Sequence, residues 1–314
     1  METAAHLPRP EPGFREHIET VTRATATGLV FVYAVGFIIL ALYDARYGII
    51  GFSFLRVKIL SVGALFWLLV MLAAAAAHYQ IEYLPALRAV YNNAEPKLEL
   101  YRNLLLAAHF IYPATFMTLV FNPVVFRFDV HNWWFVPVDA SVWRALAILA
   151  AFVVMGLGNF VIEKSFAERP KQAAFFGLGG ASLVIYTLYL FGERNIANLT
   201  LFLFLAGIGA LQLKRGIRYG LDFRNWFLAV LLIALFTFEI FGDIRPELGG
   251  GAPSPVTLYL NTPIAWLDSN IASVLLVDET DQGFYVLTAP TGKAFFLPRS
   301  TVTSVYFGTK ADLR

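Results

Sequence analysis

The chain is 314 residues long, 58% hydrophobic and only 15% charged, whereas a soluble domain carries about a quarter charged residues. That balance excludes an ordinary cytosolic enzyme and also an intrinsically disordered chain, which needs high charge and few apolar residues. A formal net charge of +2 gives no bulk attraction for nucleic acid, and the lack of any cysteine excludes disulfides, thiolate metal sites and cysteine nucleophiles.

In chain order, residues 1–23 read as a cytoplasmic tail. It carries four glutamates and precedes an apolar run too long for the core of a signal peptide, so that run is expected to persist as an anchor. A helix needs roughly 20 mostly apolar residues to cross about 30 Å of hydrocarbon. Seven runs approach that length: 24–43, 59–77, 104–121, 145–162, 173–191, 196–213 and 226–241. The seventh is the weakest, being short and carrying Glu239. A helix satisfies its own backbone in lipid, so the expected fold is mostly α: a polytopic transmembrane bundle over 24–241.

Basic residues accumulate on cytoplasmic loops. Alternate loops carry thirteen Lys and Arg on the side of the N-terminus and six on the other, which puts the N-terminus inside, with a bacterial inner membrane as the expected home. Seven spans then leave the C-terminus outside. The stretch 47–58 turns abruptly from apolar to basic and is too short to cross, so an in-plane or re-entrant segment is expected, with Gly48 and Gly51 permitting the turn. The outer loop 121–143 holds Trp133, Trp134 and Trp143, which suit the headgroup boundary or a lid over the outer face.

Composition changes at Gly242. Residues 242–255 are rich in Gly and Pro and read as a linker. Beyond it, short runs at 256–260, 273–278, 283–288, 293–297 and 301–307 read as strands of a small β-barrel or sandwich over 256–314. The connections 278–283 and 289–292 read as hairpin loops with glycine where positive φ is cheap. With no His and with its acids assigned mainly to turns, this module is expected to bind a protein or small ligand, contact another subunit or cap an opening, not to do chemistry.

Ionisable groups at membrane depth are costly and mark candidate sites. His109 lies about five residues into the third run, ~8 Å along a helix at 1.5 Å per residue, and Pro113 removes the donor its carbonyl would otherwise meet. Tyr112, Thr115 and Thr118 continue a winding polar strip, and Glu239 with Asp243 forms a second polar position, so these residues are the candidate ion or proton path. Gly156, Gly158 and Asn159 break the fourth run, while Ala173, Gly177 and Ala181 recur every four residues on one face of the fifth, as packing or gating seams; Ala206 and Ala210 do the same in the sixth.

No phosphate loop and no His-Glu-x-x-His zinc pair occurs. Gly180-Ala181-Ser182-Leu183 lacks the final glycine of the Gly-x-Ser-Gly in rhomboid-type intramembrane proteases. No catalytic role, metal or cofactor is therefore expected. The expected protein is a homo-oligomeric membrane channel or pore with a regulatory or assembly β-module, partnered by the lipid bilayer and not by nucleic acid. The alternatives are a secondary transporter, or a membrane effector or anchor subunit of a multiprotein system such as one of bacterial defence.

Overall fold

The computed structural model describes residues 14–49, 56–83, 194–219, 223–261, 270–287 and 294–307, with isolated positions between 110 and 186 and at 292. These residues are mostly helical, with one small antiparallel sheet at the C-terminal end. Helices α1 (Phe14–Arg46) and α2 (Val57–Tyr83) are followed by α3 (Arg194–Tyr219) and α4 (Phe223–Leu235). The last continues through a π turn, Phe236–Ile240, into a 3₁₀ turn, Phe241–Asp243.

Among the described residues three helical stretches, not seven, are long and apolar enough to cross a membrane: Val21–Arg46, Val57–Tyr79 and Asn225–Asp243. The expected fourth span lies outside the described residues, and the third and fifth lie mostly outside them. Of the expected sixth span, the stretch Ala197–Ala210 within α3 is described with its side chains and is apolar. Ala197, Leu199, Phe202, Leu203 and Ala206 are all buried, so this part of α3 is interior to the bundle. The weak seventh run does reach spanning length. Its exposed side is apolar, with Trp226, Phe227 and Val230 outward, and α1 likewise exposes Leu29, Val30 and Phe31. An apolar exterior suits lipid, not water.

Two glycines bring α1 and α2 into backbone contact. A Cβ on Gly36 would lie 2.0 Å from the Ile59 carbonyl oxygen, and one on Gly63 would lie 1.9 Å from that of Val32. In lipid no hydrophobic force drives helices together, so close approach through small residues is a main source of association. Deeper in the bundle Phe66, Phe202 and Phe236 join α2, α3 and the π turn, with ring centroids 5.4–5.7 Å apart.

The Gly- and Pro-rich segment read as a linker packs as an elbow between α4 and the sheet. A 3₁₀ turn, Pro246–Leu248, ends at Gly249, whose φ of 82° suits glycine. Gly251 N–H then donates to the Phe241 carbonyl and Ala252 N–H to that of Ile244. A Cβ on Gly251 would meet the Phe241 ring at 2.7 Å and the Tyr43 ring at 2.9 Å, so glycine lets the backbone lie against both rings.

Strands β1 (Ser254–Leu260), β2 (Ile271–Glu279), β3 (Gly283–Leu287), β4 (Phe295–Pro298) and β5 (Val302–Phe307) form a single sheet in the order β4-β3-β2-β1-β5. All neighbours are antiparallel. β4 and β5 are its two edges. One face carries the sheet's own core, including Val256, Leu258, Val274, Phe284 and Val286. Leu275, Val277, Tyr285 and Leu287 instead join the helical core. Among the described residues only Gly48 and Gly249 take positive φ. At Gly283 glycine serves close approach instead: a Cβ there would lie 2.1 Å from the Leu297 carbonyl on β4.

Substituting Gly36 by Ala forces α1 and α2 apart and is expected to destabilise the protein by about 1–3 kcal/mol, the cost of overpacking. Gly28→Ala, with nothing within 4 Å of the new methyl, is expected to be neutral or stabilising by up to ~1 kcal/mol. Thermal unfolding of both variants in detergent checks the contrast.

Candidate functional site at the helix–sheet junction

The C-terminal end of α1, the start of α2, the start of α3 and the turn after α4 meet at one end of the bundle, and the sheet sits on it. Four charged side chains lie in this junction. Asp278 of β2 is buried, and its Oδ2 accepts from an Arg56 guanidinium nitrogen at 2.6 Å while its Oδ1 accepts from Lys58 Nζ at 3.0 Å. The same Arg56 nitrogen lies 3.9 Å from Asp44 Oδ2 at the end of α1. Asp44 is also buried, and its Oδ1 has no hydrogen-bond partner among the described residues. Asp278 is thus the carboxylate with both oxygens paired to cations, and Asp44 the one with an oxygen left over among the described residues.

A β-bulge aims Asp278. Leu275 pairs with Leu287 and Leu276 with Val286, but the next pair is Asp278 with Tyr285. Val277 is the extra residue. Strict alternation would have sent Asp278 to the side of Leu276, into the sheet's own core; the bulge returns it to the helix-facing side with Tyr285. Asp278, read as both the last residue of a strand and the first of the hairpin connection, belongs to the strand: β2 runs on through Glu279, and the turn follows it. A run of four apolar residues, Val274 to Val277, ending in an acid was the available signal, as was the basic pair Arg56 and Lys58 after an apolar run.

Backbone and aromatic contacts lash the junction. Tyr43, wholly buried, donates its hydroxyl proton to the Gly251 carbonyl. Its ring meets Phe241 edge-on with centroids 4.9 Å apart. Ala294 N–H, just before β4, donates to the Tyr47 carbonyl at 3.0 Å. Gly48, with φ 75°, closes the end of α1, where Ile49 N–H reaches back to Asp44. The expected turn at Gly48 is thus present; Gly51 lies outside the described residues.

Beside the ion cluster a cleft of about 640 Å³ opens between α2 and the sheet. Lys58 and Ser61 form one wall, Glu247 and Gly249 the elbow, and Leu276, Glu279 and Phe307 the sheet side. This cleft was not legible in the sequence, because its walls come from three distant segments.

Of the residues read from the sequence as a path, Thr115 and Glu239 are described. Thr115 is buried and donates to the Ile111 carbonyl one turn back at 2.7 Å. Glu239 sits in the π turn, its Oε2 accepting from Asn198 Nδ2 at 3.2 Å. Arg46 donates to the neighbouring Phe238 carbonyl at 3.3 Å, supplying a donor where π geometry shifts the backbone pattern. His109, Tyr112, Pro113 and Thr118 lie outside the described residues, as do Gly156, Gly158, Asn159, Ala173, Gly177 and Ala181. Among the described residues no cluster of His and carboxylates could hold a metal ion. Comparison with known proteins gives no matching family model, no matching curated protein and no matching solved structure.

Asp278→Asn leaves two buried or half-buried cations without their carboxylate and is expected to destabilise the protein by about 3–5 kcal/mol. Glu279→Gln, one residue on, removes only an exposed pair with Arg299 and should cost less than ~1 kcal/mol. Unfolding midpoints of the two variants in detergent check the difference.

Proposed function

We propose that this protein is a non-enzymatic membrane coupling subunit: its helices anchor it in the bilayer, and its sheet receives a protein or small ligand and passes that event to the helix ends. The observation that carries this reading is the clamp of Asp278 on Arg56 and Lys58, which ties one strand to the start of a candidate span. The cleft shares Lys58 and Asp278 with that clamp, so an occupant would press on the tie itself. The polar groups described at helix depth support coupling over conduction, since Thr115 and Thr237 both donate to carbonyls of their own helices. The excess of Lys and Arg on the loops flanking the N-terminal side supports a cytoplasmic N-terminus and an extracytoplasmic sheet in a bacterial inner membrane.

A second reading is an oligomeric pore. It is favoured by the pairing of Glu239 with Asn198 at the π turn of an otherwise apolar span, since π turns gather at functional positions.

Hydrogen exchange of the intact protein in liposomes, with and without Asp278→Asn, tests the coupling. Exchange is expected to rise at residues 57–63 as well as in β2; a rise confined to the sheet would defeat the proposal. Steady ion conductance by the same liposomes, altered by Glu239→Gln, would favour the pore instead.

A further inference from the structure

The face of the sheet that meets the helices does not stop where they do. Tyr285 and Ala294 pack against the helical core, and Phe296 lies on the same face, paired with Tyr285 across β3 and β4. Its ring stacks at 5.1 Å from that of Tyr285, yet Phe296 is 43% exposed. Phe295 beside it is 47% exposed. β4 is an edge of the sheet; Phe296 overhangs the bundle from the helix-facing side, while Phe295, paired with Val286, lies on the opposite face at the same edge.

Its height relative to the bilayer follows from one hydrogen bond. Ala294 N–H donates to the carbonyl of Tyr47, the residue directly after Arg46, where the first candidate span ends. Two strand residues on, at about 3.3 Å each, Phe296 lies no more than ~7 Å from that level. The headgroup layer on each side of the hydrocarbon is about 5–8 Å deep. Apolar and aromatic side chains at this depth gain by burial against the acyl boundary, whereas in water the two rings would remain an exposed apolar patch.

We propose that the β4 edge of the sheet, through Phe296 and then Phe295, rests in the headgroup layer of the bilayer that the helices cross. The occupant of this overhang is lipid. The inference depends on the helices crossing the membrane and not on the coupling function.

The chain has no cysteine, so single-cysteine variants can carry an environment-sensitive fluorophore at chosen sites. Phe296→Cys, Phe295→Cys and Phe307→Cys are labelled in the full chain in phosphatidylcholine–phosphatidylglycerol liposomes; Phe307, on the opposite edge, is 65% exposed. Phe296 is expected to give a blue-shifted emission, quenching by a shallow spin-labelled lipid and a severalfold loss of quenching by aqueous iodide relative to Phe307. Phe295 should fall between them and provides a second site if Phe296→Cys does not fold. Equal iodide access at all three sites would overturn the proposal. So would shielding from both quenchers together with crosslinking between copies, which would assign the edge to a subunit contact. Carbonate extraction of the unlabelled protein distinguishes the two failures: release from the membrane removes the premise, while retention with water-exposed labels removes only the headgroup contact.

Discussion

Asp278 is the residue on which the junction depends. A buried carboxylate is costly unless it is paired and hydrogen-bonded, and here both oxygens meet cations from the first residues of one helix and the approach to it. Those cations are themselves misplaced by local rules. A basic residue at a helix N-terminus opposes the macrodipole, and so does Asp44 at the C-terminal end of α1. Each helix end therefore carries the charge it would not choose alone, and the three-dimensional arrangement reconciles them. Buried ion pairs are weak devices for raw stability compared with apolar packing. Their geometric demands are strict, so this cluster fixes how the sheet sits on the helices more than how tightly.

The same junction gathers the departures from regular structure. The β-bulge at Val277, the π turn at Phe236–Ile240 and the left-handed glycines at 48 and 249 all lie within or beside it. Further into the bundle the chain is regular, and the contacts are those that lipid favours: glycine against backbone at Gly36 and Gly63, and phenylalanine against phenylalanine around Phe66. This division follows from solvent. Irregular backbone has exposed N–H and C=O groups, which hydrocarbon cannot satisfy, whereas at the junction Arg46, Asn198 and the elbow's own amides reach them.

Much of the fold was legible because its signals are local. The five strands match the short apolar runs to within two residues at most ends, since alternation and turn residues act over a few positions. The helices at α1 and α2 follow from apolar length alone. Hydropathy cannot tell a helix facing lipid from one enclosed by other helices, so the burial of Asn198 and Thr200 at the start of α3 was not legible. Glycine permits both flexibility and close approach, and only the rings of Tyr43 and Phe241 show that Gly251 serves the second. The candidate site was hidden most thoroughly, because Asp278 lies 222 residues from Arg56 in the chain and the bulge that brings it round is a two-strand property.

The cluster also bears on how an event at the sheet could travel. Coupling through packed apolar surfaces alone is forgiving, since side chains can repack with little change in area. An ion pair at 2.6 Å inside a partly dry junction is not, because separating it exposes opposite charges to a medium that solvates them poorly. Movement of β2 therefore drags Arg56 and Lys58, and with them the first turn of α2. That turn is followed directly by Ile59 and Gly63, whose backbone touches α1 with no side chain between. A displacement entering at Asp278 reaches two candidate spans through one salt bridge and one glycine contact, a shorter and stiffer route than the elbow that joins the sheet to α4 in sequence.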